Sequence, residues 1–349
     1  MYNESNLNKN VAIDIKIKKL ADKIHLQLSK NALSGLDNED KEKIYEMMVE
    51  VAESEERTSN SMVCLLKKHI IKEKISENGE EMKFVWVYYK KNIWGLWLGR
   101  ESAHFESLRK DEVDIPTTTC GGGYPTVRIF GFPVLLHVLM QGMFTDDISK
   151  DTKVVNHMVV EYKKVECGNG TRDYRLRGKK GTEFSSQCYE RVSTQDNIKH
   201  AKAVDKYGLT SLQVSVKDVA DIKNCKDIKP VKSIFDIPEI KHKLEIFCDI
   251  TRKIKSCALK DIFGVENDVE IIASEMSYKN WIILSDRKLK ETVNSISYLS
   301  ENDRNNFNNA YDIIDKAFKE RIDKNAEAFL ALKKDSPDRV DYREYRKDA

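Results

Sequence analysis

"KVVNHMVVEYKK", residues 153–164, is the stretch on which the fold of this chain turns. Its valines are β-branched and favour a strand, yet Asn156 and His157 interrupt the apolar run. The pair is either a polar strand end or a pair of functional side chains that a strand displays. An imidazole with an ordinary pKa of about 6.5 can exchange a proton near neutral pH. A carboxamide oxygen is the kind of ligand hard divalent cations accept. The neighbouring sequence has to decide between the two.

Downstream, "QCYERVSTQDNIKHAKAVDKYGL" (187–209) has the pattern of a strand followed by a helix. Tyr189 to Val192 alternate as a strand does. Ser193 or Thr194 can cap a helix, and Asp196 lies three residues after Ser193, close to a capping box. Ile198, Ala201 and Val204 then give one apolar face, and Gly208 is placed to stop the helix. The expected order is a strand ending in Asn156 and His157, a second strand, and a helix with Asn197 in its first turn and His200 one turn on.

Upstream, "GGGYPTVRIFG" (121–131) sets three glycines before a strand. P-loop and dinucleotide motifs need their glycines to open a helix, so a flexible turn is expected instead. "LLHVLMQGMF" (135–144) reads as a short amphipathic helix with His137 as a packing residue.

Composition narrows the class of protein. The 349 residues are 40% hydrophobic and 33% charged, enough to bury a core but polar for a globular chain. The net charge of +2 gives no global attraction to nucleic acid, so polyanion binding must come from local patches. No apolar run approaches the roughly 18 residues of a membrane span, and no signal-peptide pattern opens the chain. Seven cysteines with no CxxC pair argue for a reducing cytosol and against a disulfide framework or a four-cysteine zinc site.

Residues 1–80 show helical periodicity in "LADKIHLQL" (20–28) and from Lys43 to Ile75. "KFVWVYYKKNIWGLWLGRES" (83–102) is aromatic and β-branched and predicts a hairpin. Its Trp86, Trp94 and Trp97 suit a core, and aromatics of this kind also stack on unpaired bases. Residues 211–349 are again mainly helical, with a charged tail expected to fray. The expected organisation is a helical region (1–80), a β-containing region (81–210) and a helical C-terminal region (211–349).

The ordered series Gly123–Tyr124, His137-Val138-Leu139 with Phe144, Val155-Asn156-His157, Tyr189–Val192, Ser193, Asn197, Ile198, His200 and Ala201 resembles the HNH endonucleases of the phage and intron homing type. The resemblance is confined to 121–208. It implies an α+β fold, a ββα-metal module between helical flanks. It implies His157 as general base for a water attacking a DNA phosphodiester, with Asn156, Asn197 and His200 around one Mg²⁺ or Mn²⁺. Three departures stand out. The family's central Asn falls on Cys188, the family's acid and glycine after the His are replaced by Met158, Val159 and Val160, and Asn156 stands where many members have Asp. Cysteine cannot make the hydrogen bonds of an amide.

Between His157 and Cys188 the chain also carries a basic insertion. Residues 163–206 hold eleven Lys or Arg against six Asp or Glu. Arg172, Arg175, Arg177, Lys179, Lys180 and Lys199 are the candidate contacts to a DNA backbone. The expected activity is metal-dependent cleavage or nicking of DNA in a bacterial cytoplasm, encoded by a phage. The alternative is a catalytically decayed member that binds DNA or a host protein complex.

Overall fold

The computed structural model describes residues 4–56, 58–100, 102–108, 111–115, 118–119, 124–145, 154–166, 172–178 and 188–333. The turn expected at 121–123, Lys179, Lys180 and the tail from 334 fall outside these residues. The chain divides into two compact units. Unit 1 is Met1–Val155 with Glu166–Thr171 and Lys180–Arg191, and unit 2 is Asn156–Val165 with Arg172–Lys179 and Val192–Ala349.

Unit 1 opens with three helices, α1 (Glu4–Lys23), α2 (Asn38–Glu53) and α3 (Ser59–Lys68). The continuous helical pattern from Lys43 to Ile75 is broken twice. Thr58 and Ser61 form a reciprocal capping box that starts α3 afresh. The isoleucine-rich end then leaves the helix as β1 (Lys72–Ile75), which pairs with β2 (Glu81–Tyr89) and not with a helix neighbour.

β2 and β3 (Asn92–Leu98) are the expected hairpin, with Tyr89 opposite Asn92. Lys90 and Lys91 both adopt positive φ (45° and 69°), the geometry of a two-residue turn that matches strand twist. β4 (Ala103–Glu106) and β5 (Glu112–Asp114) complete a five-stranded antiparallel meander. Trp86 and Trp97 are buried and Trp94 packs against the same core, so these rings form part of it. Trp86 Nε1 also donates to Asp40 of α2 (2.8 Å), which ties the sheet to the helices.

A second sheet, β6 (Thr118–Thr119), β7 (Pro125–Ile129) and β8 (Phe132–Leu135), leads into α4 (Leu136–Met143). His137 lies in this helix with Tyr124 and Tyr189 against its ring (centroids at 5.0 and 5.9 Å). Burial, assisted by the Arg191 charge, pushes its pKa down from 6.5 to about 4.

β9 (Val154–His157) pairs with β12 (Tyr189–Val192), and the chain passes from one unit to the other within each of these strands. Unit 2 holds the paired strands β10 (Val160–Glu166) and β11 (Arg172–Gly178), then α5 (Thr194–Tyr207), α6 (Asp218–Asn224), a 3-10 turn (Val231–Asp236), α7 (Pro238–Lys253), α8 (Ala258–Phe263), α9 (Val269–Glu275), α10 (Tyr278–Asp286), α11 (Leu289–Ser295) and α12 (Glu301–Leu332). The fold is thus mixed α and β.

α12 is the axis of unit 2. Phe307, Ile314 and Phe318 join Phe247 and Trp281 in one core, while Ala326 and Phe329 join Val204 and Leu212 in another. Asn325, fully buried, donates Nδ2 to the carbonyls of Tyr207 (2.8 Å) and Lys229 (2.7 Å), and its Oδ1 accepts from Lys229 N (3.0 Å).

Two outcomes are expected. Asn325→Ala leaves three buried backbone groups without their partner, at about 1–3 kcal/mol for a buried group. The substitution should therefore lower the unfolding midpoint of unit 2 far more than Asn305→Ala on the exposed face of α12, and equal midpoints would contradict the clamp. His137 should titrate near pH 4 by NMR. Its folded pKa lies below the 6.5 of the unfolded chain, so its contribution to stability is complete above pH 6.5 and declines as pH falls towards 4, by roughly 3 kcal/mol in all.

Candidate functional site

The helix that carries two of the candidate residues is specified locally. Ser193 takes an extended conformation, and its Oγ accepts from Asp196 N (3.1 Å) while donating to the Asp196 carboxylate (2.8 Å). Gly208, at φ 68°, ends α5 in the left-handed conformation. The buried face is His200, Ala203, Val204 and Tyr207, not the Ile198, Ala201 and Val204 set that the sequence suggested. Ile198 is 49% exposed. The i, i+3, i+4, i+7 series counts a histidine among its buried members, which is why an apolar tally chose the wrong phase.

His200 Nε2 lies 2.8 Å from the Val214 carbonyl. A carbonyl only accepts, so Nε2 carries the proton and the neutral ring keeps Nδ1 as its acceptor. Burial lowers the His200 pKa, against the opposing pull of the Val214 hydrogen bond and of Asp218. Val214 in turn reaches back to the strand region: Val214 N donates to Met158 O (3.0 Å), Ser211 N donates to Val160 O (2.9 Å), and Val159 bridges Gln213. A short path of backbone bonds therefore runs from the residue after His157, through Val214, to the ring of His200.

That path gives Met158, Val159 and Val160, the segment directly after His157, a structural role. Val159 and Val160 are buried and their segment is paired along 211–214. The alternation of Leu212 and Val214 carried the signal for this extra pairing. Asn156 and His157 are buried as well, at 3% and 7% exposure, so they are not a solvated strand end.

The His157 ring is held on one edge by β11. A Cβ added to Gly178 would lie 2.4 Å from His157 Nδ1 and 3.0 Å from Cε1, so only glycine lets the backbone come this close. β11 alternates, so Leu176 shares the Gly178 face and packs against the Val204 core, while Arg175 and Arg177 fall on the other face. Arg175 is exposed and Arg177 half-buried. Arg172 begins β11. Lys199 is exposed on α5 and paired with Asp196 (2.9 Å). Lys179 and Lys180 lie outside the described residues.

Asn156, His157, Asn197 and His200 thus all belong to unit 2. Asn156 and His157 come from the end of β9, and Asn197 and His200 from the first two turns of α5. As residue types, two carboxamides and an imidazole with a lone pair at Nδ1 would suit a hard or borderline divalent cation, without any carboxylate charge. A histidine that donates its other ring N–H to a backbone carbonyl is the usual outer-shell arrangement of a metal ligand. Cys188 is buried immediately before β12. No protein-family model, curated protein or solved structure matches this chain.

Two measurements bear on this geometry. Nitrogen chemical shifts should show His200 as the Nε2–H tautomer at neutral pH, and the Nδ1–H tautomer would contradict the Val214 bond. Gly178→Ala should displace the His157 ring and perturb its NMR signals strongly. Lys202→Ala, on the exposed face of α5, should leave those signals in place.

Proposed function

We propose that residues 154–208 form an HNH-like ββα unit and that the protein cleaves or nicks DNA with one Mg²⁺ or Mn²⁺. The observation that carries this is the order of elements around the polar pair: β9 ends in Asn156 and His157, its partner strand β12 runs directly into the capped helix α5, and α5 presents Asn197 and His200 in its first two turns. The hairpin β10–β11 is then an insertion between the two strands of the unit. A purely helical scaffold with a chance motif match would have no strand–strand–helix unit at these positions.

In this reading the His157 imidazole takes a proton from the water that attacks the phosphorus. Contact of its Nδ1 edge with Gly178 keeps the ring from rotating away. Asn156 and Asn197 would hold the cation through their carboxamide oxygens, and His200, with its Nε2–H committed to Val214, would offer Nδ1. The bound cation supplies charge neutralisation at the phosphate and at the departing oxygen. Arg175 and Arg177, on the opposite face of β11, hold backbone phosphates at a distance from the proton transfer.

A second reading is favoured by one observation, the burial of Asn156 and His157. A base that substrate cannot reach does no chemistry, and the unit then serves as a binding factor for DNA or for a host protein complex. The two readings separate on supercoiled plasmid. With Mg²⁺ or Mn²⁺ the nuclease reading expects open circles, with His157→Ala lowering the rate by at least about a hundredfold, the usual contribution of a positioned base. Undiminished nicking by His157→Ala would refute the assignment. No cleavage with any divalent ion, together with salt-sensitive DNA binding that weakens in Arg175→Ala, would establish the second reading.

A further inference from the structure

Unit 2 contains a cavity of about 610 Å³ that none of the candidate residues above lines. Its size is that of a pocket for a small organic molecule, which typically spans about 300–1,000 Å³. Tyr174 of β11, Tyr278 and Trp281 of α10 and Phe318 of α12 give it aromatic walls. Asp286, Asp315 and Asp323 give it three carboxylates against one lysine, Lys319. Apolar rings with an excess of negative charge suit a cation that also has an apolar body.

The walls are fixed in advance. Trp281 stacks on Phe318 (centroids 5.0 Å, planes at 13°), and its Nε1 donates to Asp315 (3.1 Å). Asp315 also pairs with Lys319 (2.6 Å), so Lys319 is already neutralised. Tyr278 is held edge-on by Tyr162 (5.7 Å), whose hydroxyl donates to Asp205 (2.5 Å). Little ordering remains to be done when a ligand enters, which favours affinity.

A lysine of the same unit already lies at the mouth. Lys164, from β10, places its ammonium 5.7 Å from the Tyr174 ring centroid and pairs with Asp286. An ammonium between an aromatic face and a carboxylate is the pattern that cation–π recognition uses. Asp323 lines the same cavity and forms no ion pair among the described residues, so one carboxylate is left for a second cation.

We propose that this cavity binds a small organic ammonium ion, its charged head on the aromatic faces and Asp323 as its counter-ion. The site uses neither His157 nor Asn197 and is independent of the nuclease reading. The test is titration of the full chain with tetramethylammonium, choline and spermidine by calorimetry and proton–nitrogen correlation spectra. Neutral tert-butanol serves as the uncharged control. Saturable binding of at least one cation is expected, with shifts in the Trp281 indole signal. Asp323→Asn, on an exposed surface, should weaken that binding about tenfold without moving the melting temperature. Tyr278→Leu should weaken it as well. Binding of tert-butanol as tight as that of the cations, undiminished affinity in Asp323→Asn, or no saturable binding of any of the three cations would overturn the proposal.

Discussion

The placement of the candidate residues depends on how α5 ends against α12. Gly208 turns the chain in the left-handed conformation, and a Cβ there would lie 2.7 Å from Ile322. One turn along α12, Asn325 holds the carbonyl of Tyr207 and both backbone groups of Lys229. Asn325 is fully buried and makes three hydrogen bonds with its carboxamide. A buried polar group satisfied this way restricts geometry more than an apolar contact does, because any displacement leaves several groups unpaired at once. The C-terminal end of α5 therefore has a defined height and rotation on α12. The first turns, with Asn197 and His200, inherit both.

Part of this was legible in the sequence, and the reasons are local. Ser193 with Asp196 and Gly208 mark the two ends of α5 because capping chemistry needs only a few adjacent residues. The hairpin β2–β3 was legible from aromatic and β-branched alternation on either side of a polar pair. The buried face of α5 was not, because His200 counts as polar in a pattern and yet is buried through one hydrogen bond to Val214. Nor was β1, since "HIIKEKI" suits either period until its partner Phe84 is known. Contacts across long separations in sequence decide such cases, and periodicity cannot supply them.

The candidate site shows the same division. Asn156, His157, Asn197 and His200 are visible as residues, but the groups that hold them are not. Gly178 looks like one more glycine in a basic loop, and the backbone of Val214 has no side-chain signature at all. Met158, Val159 and Val160 read in the sequence as a plain apolar continuation of the strand. Their pairing along Ser211–Val214 gives them a structural task, because it joins the segment after His157 to the partner of His200.

β11 carries the last constraint. A strand alternates faces with a period of two, so Gly178 against the imidazole requires Leu176 towards the core and Arg175 and Arg177 on the far side. The close backbone approach at His157 and the two guanidinium side chains are thereby kept on opposite faces by the pleat itself. A guanidinium on the Gly178 face would sit beside His157 and, as a like charge, would disfavour its protonated form. A one-residue slip of β11 would impose that arrangement and would also replace glycine by a bulky residue at the one place where the backbone must touch the ring. Register in β11 is thus tied to two unrelated demands, close approach at His157 and burial of Leu176, and both fail together if it moves.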